Sequence, residues 1–342
     1  MIGTSPEATG RASGYQIDEL EPGFSPTADF AARRKHSNNY LELMMLTAIA
    51  IAVDGLGFAA WLFLSSVGLT LIYGVMRILN IAHGGFYALG AYSSAWAIGL
   101  YTQTGNTVAL TFLIIPLAAL LAGVVSGLLV ERGILRFMYG RDEVLMVLVT
   151  YAIFLILEDV TKLIWGTESY VAWQPAFYFG TIDIFDIPYT VYKFIIIGVA
   201  ITVGLALFIG LNRTRIGKLL LVVIEDREIS GALGINVRRF FTVTFVIGAT
   251  LGALGGAITA PEISVSPGIG AEIIVLSFAV IVIGGMGSIG GAMLGAVIVG
   301  FARAASVHLY PPAELFSIYL VMAAVLAVKP YGLFALAESR KI

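Results

Sequence analysis

The chain has 342 residues, of which 58% are hydrophobic and 12% charged, with a formal net charge of −2 and a mean hydropathy of +0.92. Soluble domains carry about 25% charged residues, so this composition excludes an ordinary soluble fold and points to one polytopic membrane bundle. There is no cysteine, and the three histidines (His36, His83, His308) lie far apart, which excludes disulfides, thiolate chemistry and any metal motif of recognisable spacing.

Residues 1–40 are polar, rich in Gly, Ser, Pro and acid, and without periodicity, the composition of a disordered tail. Arg33, Arg34 and Lys35 close this tail and favour a cytoplasmic side, which requires two passes before residue 85, so the side of the N-terminus stays open. A cleaved signal peptide is the poorer reading, because the preceding tail is long and apolar sequence resumes at once. Residues 41–336 form the membrane domain, with apolar stretches at 41–76, 85–102, 107–130, 144–165, 189–211, 241–261, 271–286, 291–309 and 313–329. A helix needs about 20 apolar residues to cross a bilayer, and the expectation is an all-α bundle of about eight to ten spans. The 41–76 stretch is one long helix or two short ones broken at Asp54-Gly55. The 271–309 region is a tight helix pair or a partly re-entrant segment. Residues 337–342 form a short tail.

Basic residues set the orientation. Arg132, Arg136 and Arg141 mark one cytoplasmic loop, residues 212–240 a second, and Arg340 and Lys341 place the C-terminus on the same side. Residues 166–188 hold Glu168, Asp183 and Asp186 but no Lys or Arg, so they face outward. No basic stripe occurs outside the expected cytoplasmic loops, which argues against nucleic acid as a partner.

Two segments carry candidate function. The first, Gly74 to Gly85, holds Asn80, His83 and Gly84 between two apolar spans. Polar residues at membrane depth pair internally or line a cavity, and these three are the candidate substrate pathway. The simpler alternative is a turn in which His83 bonds a backbone carbonyl. The second is the 212–240 loop, where Glu225, Asp226 and Arg227 lie on an expected helix from Leu219 to Leu233 that Gly234 terminates as its cap. Its mixed apolar and charged character suits docking of a soluble partner. Gly248, Gly252 and Gly256, and again Gly287, Gly291 and Gly295, recur every four residues, the close-packing pattern of membrane helices. Glu158, Asp159 and Glu262 fall near span ends, where solvation is the expected role. No phosphate-binding loop and no nucleophile–base pair is present, so the chain is expected not to be an enzyme.

Residues 68–92 (GLTLIYGVMRILNIAHGGFYALGAY) resemble the N-terminal signature of permease subunits in branched-chain amino acid ABC transporters, nearest the H-type. Residues 224–240 (IEDREISGALGINVRRF) resemble their cytoplasmic loop, and 244–258 and 283–300 resemble later segments in the same order. The resemblance implies an inner-membrane importer subunit with no cofactor of its own. Its implied partners are a second homologous permease, two cytoplasmic ATPases that bind ATP and magnesium, and a periplasmic binding protein, all around the lipid bilayer. It places ATPase coupling on Glu225, Asp226, Ala232, Leu233 and Gly234, to which Arg227 is added as a further coupling candidate, and the pathway signature on Asn80, Ala82, His83 and Gly84. The chain departs from the pattern at Gly85, where many relatives have an acid, and in its longer tail. Urea and short-chain amide importers share the family. An ion-coupled secondary transporter and a non-transporting scaffold or sensor are the alternatives from other classes.

Overall fold

The computed structural model describes residues 26–334, with side chains from Glu42 onward except those of Arg227 and Glu228. The chain divides into two units. Residues up to Leu46 form one, whose described part begins as helical backbone at Pro26. Residues 26–40 are therefore helical where the sequence suggests an irregular tail; residues 1–25 and the C-terminal residues 335–342 lie outside the described part.

The second unit, Thr47–Ile342, is a helical bundle with one small hairpin. Helix α1 (Pro26–Met76) is followed by α2 (His83–Gln103), α3 (Thr111–Gly133), α4 (Glu143–Trp165) and the single turn α5 (Gln174–Phe177). Strands β1 (Thr181–Ile184) and β2 (Ile187–Thr190) pair antiparallel, with Thr181 opposite Thr190 and Ile184 opposite Ile187. Then come α6 (Val191–Arg213), α7 (Arg215–Glu225), α8 (Arg227–Ala232), α9 (Val237–Thr259), α10 (Ile269–Gly284), α11 (Ile289–Leu309) and α12 (Glu314–Val328). Seven of the described helices are long and apolar enough to cross a membrane. Two others complete the bundle: α2, equally long but more polar, and α10, apolar but only 16 residues. At 1.5 Å per residue α10 covers about 24 Å, short of a hydrocarbon core of roughly 30 Å.

Helix α1 passes through Asp54-Gly55 without a break. The pair has a packing role instead. A Cβ on Gly55 would meet the Phe301 ring at 3.2 Å. The Asp54 carboxylate accepts from Lys193 Nζ at 2.7 Å and lies 2.8 Å from His308 Nε2, which joins α1 to α6 and α11.

The centre of the bundle is α2 packed against α9, α3, α10 and α4. Small residues allow this: a Cβ on Gly256 would stand 2.9 Å from the Tyr87 carbonyl carbon and 3.0 Å from Ala91 N, so backbone meets backbone. Gly248 abuts Ile72 and Gly68, Gly291 and Gly295 abut the backbone of α10, and Gly287 abuts Gly74. The outer helices present the opposite character. Leu113, Leu121, Leu129, Leu205, Phe208, Phe316 and Val328 are all more than half exposed, a surface that suits lipid and not water.

The two larger of three buried clusters among the described residues divide most of the interior. One, at the end of the hairpin, holds Tyr87, Tyr92, Tyr192 and Val265. There Tyr170 and Val265 exchange two backbone hydrogen bonds of 2.9 Å. The other, at the opposite end, joins Leu135 after α3, Met146 on α4, Leu220 and Val223 on α7, and Phe241 on α9. Both basic loops of the sequence therefore converge on one end of the bundle.

Candidate functional site

The α1–α2 junction is built from a strained turn and a clamp. Helix α1 ends at Met76 because Arg77 adopts φ +57°, in the left-handed region that side chains rarely occupy. The Thr150 hydroxyl on α4 holds the following residues, lying 3.1 Å from the Leu79 carbonyl and accepting from the Ile81 N–H at 3.3 Å. Asn80 is fully buried, and neither atom of its carboxamide has a hydrogen-bond partner. His83 is also fully buried, with Nε2 2.7 Å from the Ser65 carbonyl. Only a protonated Nε2 can make that bond, so Nε2–H donates; Nδ1 has no partner. The ring fills space that Gly68 and Gly252 leave open, since a Cβ on either would approach His83 Cε1 to 2.9 or 2.6 Å. His83 thus pins α2 between α1 and α9, the simpler arrangement considered for it. Gly84 lies against Gly270, where a Cβ would come within 2.7 Å of the Gly84 carbonyl oxygen. Of the three pathway candidates, Asn80 keeps unused polar capacity on both side-chain atoms.

From His83 a polar thread continues along α2 toward the hairpin end. The Trp61 indole N–H donates to the Tyr87 hydroxyl at 2.9 Å, which lies 2.6 Å from the Thr259 hydroxyl. Ser94 donates to the Ala257 carbonyl at 3.1 Å and Tyr192 to the Ile258 carbonyl at 2.7 Å. These bonds secure the last turn of α9, whose buried residues from Gly248 to Ala257 are all glycine and alanine.

The second candidate region differs from its expected form. One helix from Leu219 to Leu233 does not form; α7 stops at Glu225 and α8 starts at Arg227. The cause is Asp226, which takes an extended backbone (φ −147°, ψ 110°). Its carboxylate accepts the Ile229 N–H at 2.9 Å, the N-cap bond that Asp favours. The Ser230 hydroxyl, fully buried, lies 2.6 Å from the Asp226 carbonyl and 3.3 Å from the Val222 carbonyl of α7, and the second contact ties α8 back to α7. Gly234 has φ +82°, the Gly234 N–H donates to the Gly231 carbonyl and the Ile235 N–H to the Ser230 carbonyl, both at 3.0 Å. That bond pair is a Schellman terminus. Helix α7 buries Leu220 and Val223 in the cluster that also contains Met76, Ile78, Ala82 and Phe86, the residues around Asn80. The outer faces present Glu225, Ala232 and Gly234 with exposed Ile229 and Leu233 (58% and 71% exposed). The Arg227 side chain lies outside the described residues.

The flagged acids lie at helix ends. Glu158 and Asp159 both pair with Lys162, at 3.3 and 3.5 Å, and Glu262 is exposed in the turn after α9. A further acid escapes sequence reading. Glu131 is fully buried at the loop end of α3, accepting from the Tyr139 hydroxyl at 2.9 Å with its second oxygen unpaired. Burial, together with the Glu131 carboxylate, pushes the Tyr139 phenol well above its ordinary range. Among the described residues no group of three or more His, Asp or Glu is placed to hold a metal ion.

The family model described as the permease component of the branched-chain amino acid transport system matches residues 51–328. The chain belongs to that family. This permease is 28% identical over 301 residues to the high-affinity branched-chain amino acid transport system permease protein BraD of Pseudomonas aeruginosa, covering 85% of this chain and 96% of that one. It is 29% identical over 286 residues to the LivH permease protein of Escherichia coli, covering 82% and 92%. A probable LivH permease protein of Methanocaldococcus jannaschii is 25% identical over 282 residues, covering 80% and 88%. No solved structure matches. The permease is a multi-pass membrane protein whose relatives transport and are not named as enzymes.

Proposed function

We propose that this permease is one of two membrane subunits of an ABC importer in the bacterial inner membrane, carrying branched-chain or similar hydrophobic amino acids. Two cytoplasmic ATPases that bind ATP and magnesium would drive it, and a periplasmic binding protein would deliver substrate. One observation supports this most: α7 and α8 offer an exposed apolar and acidic face while α7 shares a buried cluster with the α1–α2 junction. Force applied at Ile229, Ala232 and Leu233 reaches Ile78 and Ala82 through Leu220 and Val223. The lever is two short helices hinged at Asp226, held by the Ser230 bond and the Gly234 terminus. Substrate passage falls to the α1–α2 junction at Asn80, whose buried carboxamide has no partner, with His83 and Gly84 holding α2 against its neighbours. Because a binding protein selects substrate in this scheme, the permease needs only a weak path.

The test is uptake of labelled leucine into proteoliposomes holding the assembled transporter. Uptake that needs internal ATP and the binding protein, and that survives a protonophore, is the expected result. Uptake that collapses with the proton gradient while ATP is held high would overturn the reading in favour of an ion-coupled carrier. Competition by urea or acetamide, without competition by valine or isoleucine, would reassign the substrate to the amide branch.

A further inference from the structure

A cleft of about 190 Å³ opens at the loop end between the end of α1, the turn before α4 and the start of α9. Arg77 and Arg141 line it and are exposed. Among the described residues neither guanidinium takes part in an ion pair. Arg77 is held there by a left-handed backbone at φ +57°, a cost that persists only where the surroundings impose it. Tyr139 also lines the cleft, fixed by Glu131, and the apolar part includes Met76 and Phe241. One exposed carboxylate, Glu143, faces the two arginines in the lining. Asp142 next to it is engaged in capping α4 through the Val144 N–H at 2.8 Å. Phe137 and Val144, on either side of Arg141 in sequence, are 71% and 77% exposed. The rim therefore joins a lipid-facing surface.

We propose that this cleft binds the phosphate headgroup of an anionic phospholipid of the inner leaflet. Two forked guanidinium groups match phosphate geometry. Basic pockets between membrane helices on the cytoplasmic side take lipid headgroups in this way. The apolar lining and the exposed Phe137 and Val144 give the glycerol and upper acyl chain a surface, which free phosphate would leave unused. The lipid would bridge α1, the α3–α4 turn and α9 beside the α1–α2 junction. The proposal takes from the transport reading only the side of the membrane, and its test does not require uptake.

The full-length permease, purified and delipidated in detergent, would be titrated with phosphatidylglycerol, phosphatidylcholine and inorganic phosphate, with bound lipid counted by native mass spectrometry. At about fivefold per basic residue near a lipid surface, Arg77→Gln and Arg141→Gln should each weaken phosphatidylglycerol binding about fivefold and the double variant roughly 30-fold. Arg213→Gln, on the same end but outside the cleft, should leave binding unchanged. The Arg77→Lys/Arg141→Lys variant keeps the charge but loses the guanidinium fork, so it should bind more weakly than wild type and more tightly than the double glutamine variant, separating loss of charge from misfolding. Equal binding by wild type and the double glutamine variant would overturn the proposal, as would an equal loss in Arg213→Gln. Displacement of the lipid by inorganic phosphate at matched concentration would reassign the site to a free anion.

Discussion

The α2–α9 seam and the α7–α8 loop both depend on glycine, for opposite physical reasons. Gly256 sits in regular helix and needs only the absence of a side chain, because the Tyr87 carbonyl occupies that space. Gly234 has open space around it but a backbone at φ +82°, which L-residues adopt only under strain. The seam is a contact that tolerates no added atoms. The loop is a surface that tolerates new side chains but not a different backbone. One region holds the bundle together, and the other sets the backbone of an exposed loop.

The contrast breaks most readily at the seam. Gly256→Leu should prevent recovery of folded permease, measured as monodisperse protein after detergent extraction. Normal recovery and melting of that variant would show that α2 and α9 are not in backbone contact. Gly234→Pro comes next: proline cannot adopt positive φ, so uptake should vanish while membrane insertion and the melting temperature stay near wild type. A smaller effect is expected at the pin between the regions. His83→Ala removes a buried ring and its hydrogen bond, costing about 2–4 kcal/mol of stability in detergent unfolding. His83→Gln, which can still donate to the Ser65 carbonyl, should recover part of that loss. Smallest is Asp54→Asn, where a partly exposed ion pair contributes about 1 kcal/mol or less; a larger change in unfolding would make the Lys193–Asp54–His308 link a principal tie of the bundle.

Much of the architecture was legible because spans are long apolar runs, and run length is a local property. The fourfold glycine spacing was legible for the same reason, as were the basic loops that converge on one end. What escaped reading depended on partners distant in sequence. Asp54-Gly55 looks like a break until Lys193, Phe301 and His308 are brought beside it. Glu131 lies next to Arg132 in a basic stretch, and nothing local reveals that Tyr139 buries it. The hairpin at 181–190 was missed because Pro188 lies within it, and its turn residues, Phe185 and Asp186 at φ +51° and +63°, lack the usual glycine signal. The division of the loop at Asp226 was available in principle. An aspartate three residues before Ile229 is a good N-cap, but the continuous run of helix-forming residues outweighed it.

The absence of native cysteine allows a direct test of the proposed coupling surface. A single cysteine is best placed at Leu233, 71% exposed immediately after α8. Cross-linking Leu233→Cys in native membranes and identifying the product by mass spectrometry would measure what touches this face. An adduct with an ATPase subunit whose yield changes when ATP is added is the expected result. A cysteine that reacts with a soluble thiol reagent yet gives no ATPase adduct, with or without ATP, would contradict it.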